Sequence, residues 1–157
     1  WERGGATGGN AARKVSRQRL RNLARLIPQA DGALSDDADF MRKLDETEVQ
    51  LEAIHYTEFR LMAALSKGDS PGPESSVIKA LSAEITQRIT ELTVEAMGQY
   101  AAVHQPEART VGSNVATVGP DEGVVAFSRY FNLRASSIAG GSNEVQRNIM
   151  AKLVLGL

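Results

Sequence analysis

The chain contains no cysteine, which excludes a disulfide framework and any thiolate metal site. Histidine is nearly absent as well. His55 and His104 stand far apart, so a zinc site would have to lean on carboxylates and is not expected. No run of about 18 apolar residues occurs, so no membrane-spanning helix is expected. Charge of one sign is missing too. Eighteen basic against 19 acidic side chains leave a net charge of −1, which gives no reason to expect nucleic acid or an anionic membrane as partner. The chain starts Trp1-Glu2-Arg3 and runs into glycines rather than an apolar stretch, unlike a signal peptide. With no initiator methionine, it reads as a piece cut from a longer polypeptide.

Its 157 residues suffice for one domain with a real core. A 42% hydrophobic and 24% charged composition is that of an ordinary globular protein. Helical periodicity dominates. The first helix is expected to run to about residue 28, with Val15, Leu20, Leu23 and Ile27 on its apolar side and Pro28 stopping it. Arg13, Lys14, Arg17, Arg19, Arg21 and Arg25 spread over several of its faces, which suggests solvation or partner contact. Asp36, Asp37 and Asp39 suit the positive end of a second helix. There Phe40, Leu44, Thr47, Leu51, Ile54, Leu61 and Leu65 recur at helical spacing, and Tyr56, Phe59 and Met62 widen the stripe.

Ser70-Pro71-Gly72-Pro73 then connects to a third helix. Its one face carries Ile78, Leu81, Ile85, Ile89, Leu92, Ala96 and Tyr100, while Glu84, Gln87, Arg88 and Glu91 fall on others. From His104 to about Asp121 the pattern is lost. A fourth helix is expected from about Glu122 to Ser137, with Val125, Phe127, Phe131, Leu133 and Ile138 as candidate core. A short last one begins after Gly141 and should bury Val145, Ile149 and Leu153. No strand is convincing. The expected fold is all-α, an antiparallel up-down helical bundle of four main helices and a short C-terminal one, over residues 1–157 as a single domain.

Chemistry concentrates at two places. Ser136-Ser137-Ile138-Ala139-Gly140-Gly141-Ser142-Asn143-Glu144-Val145-Gln146-Arg147 breaks one helix with paired glycines and opens the next with a hydroxyl residue. Such a start leaves bare backbone N–H groups able to hold a phosphate, carboxylate or carbonyl oxygen. At the other end, Glu2 lies among small residues. By its residues alone it reads either as a chain-end acid in water or as a carboxylate facing a cavity, where desolvation raises its pKa toward general-base work. Glu144 is likewise either an ordinary helix-start acid or a ligand contact. His55 is read as a packing residue and His104 as a loop residue.

The C-terminal segment, with its Glu-x-Gln-Arg and the closing Ala151-Lys152-Leu153-Val154-Leu155-Gly156-Leu157, resembles the C-terminal signature of the acyl-CoA dehydrogenase family. The resemblance implies FAD as cofactor and α,β-desaturation of an acyl-CoA thioester, an α-proton going to a glutamate and a β-hydride to flavin N5. Many members carry that glutamate where this chain has Gly140. Another branch carries it on the first helix of this domain, in a Glu-Arg motif that Glu2-Arg3 matches. The resemblance therefore implies Glu2 as base, Arg3 and Gly141 on the substrate side, and Ser142, Asn143 and Glu144 beside the FAD. It also implies same-family subunits as partners in a dimer of dimers, and an electron-transfer flavoprotein as acceptor. The location would be the cytoplasm or the mitochondrial matrix.

Two departures stand out. The Arg-x-x-Phe-Gly segment that many members place after the first helix is replaced by Leu26-Ile27-Pro28-Gln29-Ala30-Asp31-Gly32. The glycine-rich stretch after the third helix is reduced to Met97-Gly98-Gln99-Tyr100. No cross-subunit flavin contact is assigned for that reason. The family's N-terminal helical and middle β-domains have no counterpart in the 157 residues, so the chain by itself is expected neither to hold FAD tightly nor to turn over substrate. The alternative is a non-catalytic helical assembly domain of such a complex.

Overall fold

The structure, a computed structural model, describes residues 6–70 and 72–156, with side chains at the first helix described from Asn10 onward. Five helices account for most of it: α1 (Ala6–Ala24), α2 (Ala38–Ser66), α3 (Glu74–Met97), α4 (Gly123–Leu133) and α5 (Asn143–Leu155). Short 3-10 turns span Leu34–Asp36, Gly98–Ala102 and Arg134–Ser137. One feature departs from the expected all-helical reading: β1 (Pro28–Gln29) and β2 (Gly32–Ala33) pair antiparallel. Asp31-Gly32 turns the chain there, and Gly32 takes a φ of +134° that only glycine adopts without strain.

The acids before α2 do what their position suggests. Asp37 is the N-cap, its carboxylate accepting from the Asp39 and Phe40 amides at 2.9 and 3.1 Å. Asp36 accepts from the Ala33 amide at 2.9 Å and so fixes the preceding turn.

The core falls into two clusters. The larger draws Leu20, Leu23 and Ala24 of α1, Phe40 and Leu44 of α2, Leu92, Ala96 and Met97 of α3, and Ala126 of α4. The smaller contains Leu51 and Ile54 of α2 with Ile78, Ile85 and Ile89 of α3. The central residues of the α2 and α3 stripes are thus buried as their spacing predicts. Thr47 is buried as well, its hydroxyl donating to the Lys43 carbonyl one turn back at 3.0 Å.

Elsewhere the apolar stripes lie open. Val15 of α1, Tyr56, Phe59, Met62 and Leu65 of α2, and Leu81 and Tyr100 at the flanks of α3 are exposed. So are Val125 and Phe131 of α4, Ile138 beyond it, and Val145, Ile149 and Leu153 of α5, all expected in the core. The physical reason is geometric. Helix α5 packs on α3 alone to any extent, and its buried residue is the polar Asn143. Nothing among the described residues lies over its apolar side.

The basic run on α1 also differs from its sequence reading. Lys14, Arg17 and Arg21, three or four residues apart, share one face and meet acids of α2. Lys14 pairs with Glu52 at 2.7 Å, Arg17 with Glu48 at 2.8 Å, and Arg21 with both Glu48 and Asp45. These are internal contacts, and at such exposure each adds little to stability.

Candidate functional site

Helix α4 ends by tightening into the Arg134–Ser137 turn, where the Ile138 and Ala139 amides both return to the Ala135 carbonyl at 3.0 and 2.9 Å. Then the backbone leaves helical geometry. Gly140 and Gly141 take φ of +70° and +97°, values that a side chain would strain. Among the described residues the Gly140, Gly141 and Ser142 amides have no hydrogen-bond acceptor. Ser142 is the N-cap of α5: its hydroxyl oxygen accepts from the Val145 amide at 3.4 Å, and its carbonyl from the Gln146 amide at 3.0 Å. No atom other than near neighbours comes within 4 Å of the space a Cβ on Gly140 would take. The result is an open, bulk-free face with free N–H donors at the positive end of a 13-residue helix.

Four of the residues read from the sequence meet here with different orientations. Gly141 and Glu144 are exposed and Ser142 is half-buried. The Glu144 carboxylate lies by its own amide and the Ser142 hydroxyl, and it feels the charges of Arg147 and Lys79. Together these hold it below the usual carboxylate range. It therefore stays ionised and is a poor proton acceptor near neutral pH. Asn143 points inward. It is 6% exposed, its Oδ1 accepts from Lys79 Nζ at 3.2 Å, and its Nδ2 donates to Glu84 Oε1 at 3.4 Å. Glu84 in turn receives Arg147 at 2.7 Å.

The polar face of α3, which from sequence reads only as non-core, is what carries this segment. Besides Glu84, Gln87 donates to the Arg134 carbonyl at 3.0 Å. Arg134 donates to Glu91 at 2.8 Å, to the Gln87 carbonyl at 3.0 Å and to the Thr90 hydroxyl at 3.2 Å, with the Tyr130 ring 4.5 Å away. Arg134 and Lys79 are the functional supports the sequence reading missed. The signal was a lysine between two apolar residues, Ile78 and Ala80, and an arginine closing an apolar helix.

Glu2 and Arg3 lie outside the described residues. The nearest described part of α1 is tied down by Asn10, which donates to the buried Glu58 at 3.3 Å, and by Arg13, which donates to Ser82 at 3.0 Å. Burial lowers the Arg13 pKa, the nearby Glu58 partly opposing it. His55 packs its ring 4.3 Å from that of Phe59, and His104 is exposed on the loop. Among the described residues no three His, Cys, Asp or Glu side chains gather to hold a metal. A separate cleft of about 650 Å³ lies between α1, α3 and α4, with Arg13, Leu20, Ile89 and Arg129 in its walls. Neither Gly141, Ser142 nor Glu144 lines it.

Five helices, the last capped behind a paired-glycine break, define an all-α helical domain. The chain belongs to the family described as acyl-CoA dehydrogenase, C-terminal domain, whose model matches residues 4–155. No curated protein matches the sequence significantly. Solved structures share the fold. The prolyl acyl carrier protein oxidase AnaB aligns with a TM-score of 0.77 at 19% identity over 100% of this chain and 37% of its own. Butyryl-CoA dehydrogenase from Megasphaera elsdenii gives 0.71 at 15% identity, over 96% and 34%. The ChsE4-ChsE5 complex from Mycobacterium tuberculosis gives 0.67 at 24% identity, over 94% and 35%. The chain thus spans little more than a third of the length of these proteins.

Proposed function

We propose that the chain is the C-terminal helical domain of an FAD-dependent acyl-CoA dehydrogenase that desaturates an acyl-CoA thioester between Cα and Cβ. The observation that carries the reading is the Gly140-Gly141-Ser142 turn, with its unaccepted amides and open face, in a chain of this family. The donor set fits a flavin-binding wall: neutral N–H groups, a hydroxyl and a helix dipole suit phosphate or carbonyl oxygens, and no side chain fills the space beside Gly140. When bound, FAD supplies the acceptor for the β-hydride.

The chain's own residues do the remainder. Glu2 takes the α-proton. As the proton leaves, negative charge grows on the thioester oxygen, and N–H donors fixed beforehand near Gly141 stabilise it more than they do the ground state. Arg3 contacts the substrate side. Ser142, Asn143 and Glu144 form the flavin-side edge, Asn143 by anchoring it from within. Same-family subunits, and an electron-transfer flavoprotein as acceptor, complete the system.

The test is Glu2→Gln in the full-length protein. It should keep the fold and flavin content while abolishing exchange of the α-proton and reduction of the flavin by acyl-CoA. Flavin reduction at the normal rate would remove Glu2 from the mechanism. A second reading, an assembly domain, is favoured by the uncovered apolar residues of α5 and of the C-terminal half of α2. Under it, turnover measured with intact subunits survives the loss of Glu2.

A further inference from the structure

The segment 137–143 has little to hold its shape. It contains two glycines at positive φ, an exposed Ile138, and no backbone hydrogen bond donated between Gly140 and Ser142. Yet both of its ends converge on one group. Lys79 Nζ donates to the Ser137 carbonyl at 3.4 Å and to Asn143 Oδ1 at 3.2 Å. Lys79 itself stands on rigid ground, since its neighbours Ile78 and Ala80 on α3 are 1% and 5% exposed.

An ammonium is well suited to the task. It is a compact donor of three protons on a long stem, so it can satisfy a backbone carbonyl and a side-chain amide at once. Its position is otherwise unfavourable, because a cation near the start of α5 opposes the helix dipole. Lys79 also forms no ion pair among the described residues.

We infer that Lys79 is the positioning residue of this turn: it clasps the two ends of the 137–143 segment and so sets the direction in which the Gly140 and Gly141 amides point. It acts through the turn and touches no reacting atom. Its catalytic consequence rests on the function proposed above; its structural consequence does not.

The experiment uses the full-length protein with Lys79→Met, Lys79→Gln and Lys79→Arg. Amide hydrogen exchange is followed over residues 138–149, and flavin reduction with butyryl-CoA and octanoyl-CoA as probes. Lys79→Met should speed exchange in that segment about tenfold while leaving α2 unchanged. It should lower the limiting rate of flavin reduction by roughly 10- to 100-fold with the half-saturating thioester concentration nearly unmoved, as expected when donors are misplaced by about 1 Å. Lys79→Arg, which keeps both donations, should restore most of both. If Lys79→Met loses protection throughout the protein, the same comparison is made between Lys79→Gln and Lys79→Arg. Unchanged exchange and an unchanged limiting rate in the donor-poor variant overturn the inference. Should neither thioester reduce the wild-type flavin, the desaturase reading fails, and exchange still decides the role of Lys79.

Discussion

Removing the Arg134 guanidinium is a sharp test of how α4 is held. In Arg134→Met, the bonds to the Glu91 carboxylate, the Gln87 carbonyl and the Thr90 hydroxyl vanish together, along with the contact to the Tyr130 ring. A hydrogen bond involving a charged group is worth about 1.5–3 kcal/mol, and a cation over an exposed ring about 0.5–1 kcal/mol. The side chain keeps a third of its exposure, so solvent screens the Glu91 pair and the sum is discounted accordingly. The expected loss is about 2–3 kcal/mol, or roughly 5–10 °C in the midpoint for a chain of this size. Urea unfolding followed by circular dichroism reads the first quantity and calorimetry the second. Arg134→Lys, which keeps the Glu91 pair but not the fork, should recover about half of the loss. A change within about 0.5 kcal/mol, the range of an ordinary surface substitution, would refute the clamp.

Two further outcomes follow from the same geometry. Gly141→Ala forces a side chain into a φ of +97° and brings its Cβ to 2.8 Å from Gln146 Nε2. It should cost about 1–3 kcal/mol in thermal melts and more than Gly140→Ala, whose φ is +70° with open space around it; a stabilising Gly141→Ala would show that the turn relaxes freely. Acid should weaken the fold from the carboxylate side. Hydrogen bonds from Lys43 and Arg42 hold Asp39 below its ordinary value, and Lys14 does so for Glu52. The unfolded chain therefore binds protons first. This contribution is complete above the unfolded carboxylate value and is lost as pH falls through the folded one, so the urea midpoint should drop between about pH 5 and pH 3 and drop less in about 1 M salt. An Asp39→Asn variant with an unaltered acid slope would contradict the assignment to that cluster.

What periodicity conveys, and what it does not, is visible on single helices. Phe40, Leu44, Leu51 and Ile54 are buried where their spacing puts them, because α2 lies against both α1 and α3. Val145, Ile149 and Leu153 have the same spacing and stay exposed. A stripe says which side of a helix is apolar, whereas covering it requires another element, which the stripe does not encode. The glycine break and the Ser142 cap were legible because φ preferences and capping are local. The supports of the turn were not. Lys79 and Asn143 are 64 residues apart, and their meeting depends on how α5 docks against α3. Likewise Lys14, Arg17 and Arg21 gain partners only once α1 is laid beside α2.

The division of the hydrophobic interior has its own effect on how this protein can change. The smaller cluster is built from α2 and α3 alone, and it includes Ile78 and Ile85, which bracket Lys79 and Glu84 in sequence. Most of the interior mass sits in the other cluster. Trimming one of these buried isoleucines to valine therefore loosens the footing of the glycine loop at a cost of about 0.5–1.5 kcal/mol to the fold. Drift at those isoleucines is a route by which relatives could soften or stiffen the same loop without altering any residue within it.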